Sequence, residues 1–437
     1  MKKKNTGQKL WIKAKKIIPN GNMLLSKNPD NFLRLKWPSY FSKTRGCKVW
    51  DLDDNCYTDM SIMGIGTNIL GYSNREVDLA VKDVIKKGNM STFNCPEEVQ
   101  LAEMMLKLHP WADMAKFART GGEANAIALR IARVSSKNNK IAVCGYHGWH
   151  DWYIAANISD KKNLSKHLMP GLSTKGVPKE LKNLVFPFNY NDLEQLETII
   201  KKEDVGIIKM EVARNEMPKN DFLSEVRKIA DKKNIVLIFD ECTSGFRETN
   251  GGLHKKYSVY PDIAIFGKAL GNGYAITSII GKKDVMRFSE ETFISSTFWT
   301  ERIGPAAAIK TLKIMKKYKS WEKITKIGKK IQKELIILAK KYDLKLSISG
   351  LPALTSFNFN SLNNHKYKTL ITQEMLKKNF LASNLIYVCT EHKESIINEY
   401  FFHLEKIFQK IKECEEGMDI DKILETQASY SGFKRLN

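Results

Sequence analysis

The sequence predicts an α/β protein built on a mostly parallel sheet with helices on both faces. Short apolar, β-branched runs recur at Lys140-Ile-Ala-Val-Cys144, Val205-Gly-Ile-Ile-Lys-Met-Glu211, Ile235-Val-Leu-Ile-Phe-Asp240 and Pro261-Asp-Ile-Ala-Ile-Phe266. Each reads as a strand buried on both faces. Helix-forming stretches alternate with them at the spacing of parallel strands joined by helical crossovers. The last two runs end in chemistry: an acidic pair, Asp240-Glu241, and Gly267-Lys268 followed by a glycine-rich turn to Gly273. Open α/β sheets bind their ligands at the carboxyl ends of such strands.

Taken in order, Trp11 to Ile18 reads as a short helix ended by Pro19-Asn-Gly21. Lys48 to Asp59 alternates apolar and polar residues around Asp54-Asn55, the signature of a hairpin. Amphipathic helices follow over Glu76–Lys87 and Glu97–His109. Met114 to Ala118 is a short strand, Arg119-Thr-Gly-Gly-Glu123 a tight turn, and Ala124 to Val134 a strong helix former. That arrangement exposes backbone N–H groups at the positive end of a helix dipole, which suits a phosphate. Aromatic and histidine residues crowd the end of the next strand, in Gly145-Tyr-His-Gly-Trp-His-Asp151. A polar loop spans 158–182, Phe222 to Lys233 is a helix, and Thr277 to Gly281 a further strand. Ala306–Tyr318, Trp321–Tyr342, Leu370–Asn379, Glu394–Lys412 and Ile420–Thr426 read as helices, and Leu344–Phe359 as strands around Ser349-Gly-Leu-Pro352.

Composition narrows the classes. The 437 residues allow two domains, or a large one with a discontinuous small one. No run of about 18 apolar residues occurs, and the amino terminus lacks the apolar core of a signal peptide, so a cytoplasmic protein without a membrane span is expected. Net charge is +23, but the lysines lie along helix faces without interleaved aromatics, which argues for a solvated basic surface and against nucleic acid. Seven scattered cysteines without Cys-x-x-Cys, and histidines without His-x-x-x-His spacing, argue for free thiols and no metal.

A lysine and a carboxylate at neighbouring strand ends suggest pyridoxal phosphate held by Lys268 as a Schiff base, with Asp240 on its pyridine nitrogen. The order of features supports it: a phosphate-type turn at 120–122, an aromatic at 146, a carboxylate at 211, an acid at 240 and a lysine at 268. The chain resembles the class III aminotransferases of the fold-type I pyridoxal-phosphate enzymes, in the branch similar to glutamate-1-semialdehyde aminomutase. The likeness is carried by Phe117–Arg133, Tyr146-His-Gly, Phe239–Arg247 and Gly267–Gly273. It implies a mostly parallel seven-stranded sheet flanked by helices, with a smaller α+β domain drawn from both termini. The implied divisions are 1–70 and 311–437 for the small domain and 71–310 for the cofactor domain.

Carried over by position, the resemblance makes Lys268 the Schiff-base lysine and proton shuttle and Asp240 the partner of the pyridine nitrogen. Tyr146 would stack on the ring, and Thr120, Gly121 and Gly122 would hold the phosphate. Gly122 stands where the family usually carries a third side chain, so one hydroxyl donor is missing. Cys242 replaces the usual valine against the other ring face, Glu211 lies near the ring hydroxyl edge, and His147 joins the cofactor wall. Homodimerisation with shared sites is implied, Thr297 or Thr300 reaching the phosphate of the neighbouring subunit.

Substrate recognition departs from the pattern. Lys27 stands where the aminomutase has a carboxylate-gripping arginine, and lysine lacks that two-pronged geometry. Trp149, Glu301 and Arg302 are the other candidate substrate contacts. The leading reading is an aminotransferase taking an amino donor and a keto or aldehyde acceptor, such as a keto sugar or small phosphorylated ketone of surface-polysaccharide synthesis. The alternative is an intramolecular aminomutase or a racemase on the same cofactor. A nucleic-acid-binding protein on a degenerate enzyme scaffold is disfavoured because Lys268 and Asp240 are both present.

Overall fold

Strand alternation sorts side chains between the two faces of a sheet, and here that sorting decides which acid reaches the site. A computed structural model describes residues 5–167 and 171–429, so part of the 158–182 loop (168–170) and both chain ends lie outside the described residues. The chain divides into two compact units, one made of Arg75–Glu322 and the other of residues 5–74 with 323–429.

In the discontinuous unit, strands β1 (Phe41–Arg45), β2 (Lys48–Asp51) and β3 (Cys56–Asp59) form an antiparallel meander. In the other unit the strands are β4 (Met114–Ala118), β5 (Ile141–Cys144), β6 (Val185–Pro187), β7 (Ile207–Glu211), β8 (Val236–Glu241), β9 (Ile263–Phe266) and β10 (Thr277–Gly281). They form one sheet of seven, in the order β4-β10-β9-β8-β7-β5-β6. Strand β10 alone runs against its neighbours; the remaining pairings, from β9 to β6, are parallel. The central strands β7, β8 and β9 are buried along their whole length, as their continuous apolar runs require.

Register fixes the faces. Val143, Lys209, Ile238 and Ile263 are successive partners across β5, β7, β8 and β9, and Glu211 pairs with Asp240, which pairs with Ile265. Helix Gly121–Ser136 packs over this face, its Ala124, Ile127, Ala128 and Ile131 meeting Val143, Ile238 and Ile265. Asp240 therefore shares a face with Glu211 and with that helix, whereas Glu241 points the other way. There its carboxylate accepts from Ser244 Oγ (2.7 Å), Leu253 N (2.7 Å) and His254 N (2.9 Å), and meets His254 Nδ1 at 2.7 Å. Glu241 is thus a structural acid.

The discontinuous unit draws on both ends of the chain. Strand β13 (Phe380–Leu381) adds parallel to β3, so a carboxy-terminal segment completes the amino-terminal meander. The remaining strands, β11 (Leu346–Ser349), β12 (Leu354–Phe359) and β14 (Leu385–Tyr387), form an antiparallel sheet of three. Phe32 and Trp37 stack at 4.4 Å in a cluster with Leu33 and Leu381. The helix expected over Ile420–Thr426 is only the turn Ile420–Lys422, since three residues make no more than one hydrogen-bonded turn.

Candidate active site

The carboxyl ends of β5, β7, β8 and β9 bring together Tyr146, His147, Glu211, Asp240, Cys242 and Lys268. Asp240 is 3% exposed. Its Oδ2 meets His147 Nδ1 at 2.9 Å and its Oδ1 accepts from the Cys242 amide at 3.1 Å. Burial pushes the carboxyl upward, but the His147 hydrogen bond and the Lys209 charge outweigh it and hold Asp240 well below the usual carboxylate range. His147 is itself buried, with Nε2 at 3.2 Å from the Cys144 carbonyl and its ring stacked 6.3 Å from Trp152. Asp240 is thus a fixed, ionised acid.

Lys268 follows β9 and Gly267 with φ +43°, a left-handed backbone that side-chain-bearing residues adopt at a cost and that recurs at functional sites. Its Nζ donates to Thr243 Oγ1 at 2.7 Å. Burial, reinforced by the nearby Arg214 guanidinium, lowers the amine to about 8, against the opposing pull of Cys242, Glu211 and Asp240. Roughly a tenth of the amine is then neutral and nucleophilic at pH 7, far more than for an ordinary lysine. Thr243 was not legible as its partner, since nothing in the string marks that hydroxyl as facing a lysine 25 residues away.

Glu211 Oε2 accepts from the Tyr146 amide at 3.0 Å, and Oε1 accepts from Arg214 Nη1 at 3.0 Å. Arg214, also unforeseen, lies with Cζ 5.6 Å from the centre of the Tyr146 ring. Gly145 makes this approach possible: its φ is +106°, and a Cβ there would stand 2.7 Å from Glu211 Oε2. Next to these residues is a polar cavity of about 360 Å³ lined by Lys166, His167, Asn189, Tyr190, Arg214 and Glu216 among others.

At the carboxyl end of β4, Thr120 caps helix Gly121–Ser136 in a capping box with Glu123. The Thr120 hydroxyl donates to Glu123 Oε2 at 3.0 Å and accepts from the Glu123 amide at 3.3 Å. The first-turn amides outside that box are those of Gly121 and Gly122. Gly122 is glycine for a local reason: a Cβ would lie 2.9 Å from His150 Nε2 and 3.6 Å from Trp149 Nε1. The space of the missing side chain is taken by the loop that follows Tyr146. Cys242 Sγ lies against both Gly121 and Gly267, and burial with the Asp240 charge pushes its thiol far up. It is a protonated packing group.

Of the four expected substrate contacts, two are engaged within the protein and two are exposed. Arg302 forks onto Glu97 (Nε to Oε2 3.1 Å, Nη2 to Oε1 2.7 Å), which occupies its planar donor face. Glu301 pairs with Arg119 Nε at 2.8 Å and accepts from the amides of Ile303 and Gly304 at the start of helix Ile303–Tyr318. Both side chains are engaged in ion pairs within the protein, the structural arrangement that competes with a substrate role. Trp149 is 74% exposed beside the phosphate-type turn, and Lys27 is exposed on the turn Leu25–Lys27 of the other unit. Thr297 and Thr300 are exposed, Thr300 Oγ1 donating to the Thr297 carbonyl at 2.9 Å. Between them Trp299 Nε1 donates to Glu123 at 3.2 Å, tying this segment to the capping box.

The description that matches residues 34–412 is that of the class III aminotransferases. The chain is 32% identical to the 3-aminobutyryl-CoA aminotransferase of Cloacimonas acidaminovorans over 401 residues, covering 88% of this chain and 92% of the relative. It is 31% identical to the glutamate-1-semialdehyde 2,1-aminomutase of Nitrosopumilus maritimus, covering 80% and 82%. The fold matches the FumI protein of Sphingopyxis sp. MTA144, solved in its PLP internal aldimine form, with a TM-score of 0.85 at 22% identity over 96% of this chain and 99% of that one. An omega-transaminase from Sphaerobacter thermophilus gives 0.81 at 18% identity over 93% and 98%. With the family matched across most of the sequence and this fold behind it, the chain belongs to the class III aminotransferases and is a pyridoxal-phosphate-dependent enzyme.

Proposed function

We propose that the enzyme moves an amino group from a small donor to a separate keto or aldehyde acceptor, with Lys268 and Asp240 as its working pair. The observation that carries this reading is a poised amine just beyond the end of β9 and a locked carboxylate on the neighbouring strand β8. Pyridoxal phosphate, when bound, supplies the electron sink for chemistry at the carbon bearing the amine. The residues suit that group. Lys268 is the amine that holds it covalently and, once displaced by substrate, carries the proton at the reacting carbon. Asp240 stays ionised to keep the pyridine nitrogen protonated, with His147 orienting its carboxylate. Gly121 and Gly122 offer amides to the phosphate, Tyr146 and Cys242 flank the ring, and Glu211 borders its hydroxyl edge. Thr120 contributes through the cap that holds those amides in place.

The acceptor is proposed to be a polar keto compound, a keto sugar or a small phosphorylated ketone, because the cavity beside Glu211 is lined by charged and amide side chains. Trp149 and Lys27 remain the candidates for substrate contact. The relative named for 3-aminobutyryl-CoA makes a 3-ketoacyl thioester a further acceptor to try. A homodimer is proposed, with Thr297 reaching the partner's phosphate; it is flanked by the exposed aromatics Phe293 and Phe298, an arrangement that favours coverage by another surface. A cytoplasmic location is supported by seven free cysteines and by the lack, among the described residues, of a helix long and apolar enough to cross a membrane.

The second reading, an intramolecular mutase, is favoured by the aminomutase relative. Donor alone, mixed with a stoichiometric amount of loaded enzyme, separates the two. A transaminase releases one keto acid per site and leaves the amino group on the enzyme. If no keto acid is released from any amino donor while an amino aldehyde is isomerised, the transaminase reading falls.

A further inference from the structure

A second lysine is buried under the same site. Lys209 is wholly buried on β7, beside Val143 of β5 and Ile238 of β8, on the face that carries Glu211 and Asp240. Among the described residues its Nζ has no hydrogen-bond partner. An unpaired amine among Val and Ile side chains is costly, and an apolar residue would pack there better. Lys209 therefore needs an explanation beyond packing.

The groups that act on its charge are all in the site: Asp240 first, then Cys242 and Glu211. Cys242 is held as the neutral thiol, and Glu211 is already paired with Arg214 at 3.0 Å. Asp240 is left as the anion that Lys209 can balance. His147 holds that carboxylate at 2.9 Å, and the charges of Asp240 and Arg214 both act on Lys268.

We propose that Lys209 is a positioning residue that competes with the cofactor's ring nitrogen for the single charge of Asp240, so that seating the cofactor drives a proton off the Lys209 ammonium into solvent. The proposal rests on the reading that Asp240 faces the ring nitrogen. Two buried cations cannot both be balanced by one carboxylate at low dielectric. The step is a simple deprotonation: the N–H proton leaves to water, the amine stays, and no bond to the cofactor forms. Burial lowers this amine to about 8, so it is charged in the empty site below that pH and mostly neutral above it. Competition is therefore strongest below pH ~8 and fades above it.

The test uses full-length protein stripped of cofactor and 4-deoxypyridoxine 5′-phosphate, a probe with no aldehyde for Lys268 to attack. Binding is read by quenching of tryptophan fluorescence from pH 6.5 to 9.5. Lys209→Met should bind the probe about tenfold more tightly than wild type at pH 7, with the difference closing above pH 8. Lys209→Arg, which keeps its charge throughout, should bind more weakly than wild type and lose the rise with pH, so that its deficit against wild type grows about tenfold from pH 7 to pH 9. Lys209→Gln serves as the neutral variant should the methionine substitution not fold. Neutral and arginine variants shifting in the same direction, or a gap that ignores pH, would overturn the proposal. Asp240→Asn distinguishes the two layers. If that variant binds the probe as wild type does, the Asp240 reading has failed; if it weakens binding while Lys209→Met changes nothing, only the Lys209 inference has.

Discussion

His147 holds the Asp240 carboxylate at 2.9 Å through one ring nitrogen while the other faces the Cys144 carbonyl at 3.2 Å. The ring is anchored at both ends, so the carboxylate has one orientation. His147→Gln removes a charge-assisted hydrogen bond worth about 1.5–3 kcal/mol. Cofactor retention measured by spectroscopic titration should weaken roughly tenfold to a hundredfold, and unchanged retention would mean that Asp240 needs no such anchor.

The reactivity of Lys268 should follow its titration. An amine lowered to about 8 is protonated below that pH, so covalent attachment of pyridoxal phosphate should accelerate as pH rises through 8 and level off above it. Arg214 contributes to the lowering, so Arg214→Met should move the midpoint to higher pH. Stopped-flow absorbance on cofactor-free protein reads both curves, and a midpoint that stays in place or falls would remove Arg214 from the account.

Gly122 tests the phosphate end. Gly122→Ser restores a hydroxyl but puts a Cβ 2.9 Å from His150 Nε2, an overpacking that costs about 1–3 kcal/mol. Cofactor affinity should fall, and His150→Ala in the same chain should recover most of it. Tighter binding by the single variant would show that the loop can yield.

Arg302 separates structure from recognition. Its fork onto Glu97 predicts that Arg302→Ala lowers the melting midpoint by about 2–4 °C while KM for donor and acceptor stays within twofold. A large rise in KM with an unchanged midpoint would return Arg302 to the substrate.

These residues also show what a sequence can carry. Asp240, Lys268 and the 120–122 turn were legible because each sits at the end of a strand or the start of a helix, where local pattern and chemistry coincide. Alternation along the run Ile235–Glu241 already put Asp240 and Glu241 on opposite faces, but not that Glu241 would meet His254. The ion-pair partners of Arg302 and Glu301 were not legible because they are remote in sequence, 205 residues away at Glu97 and 182 at Arg119. Lys209 was visible as one lysine in the apolar run Ile207-Ile-Lys-Met-Glu211, but its burial without a partner is a property of packing.

Lys209 also matters for identifying the lysine that holds the cofactor, because a wholly buried and a part-buried lysine of similar basicity lie at one site. Borohydride reduction of the loaded enzyme fixes the cofactor to the amine that holds it, and peptide mapping identifies that residue. The modified peptide should carry the label at Lys268, stoichiometric with sites, and the label should be absent from Lys268→Ala. A label on Lys209, or an equal label retained by Lys268→Ala, would contradict that assignment.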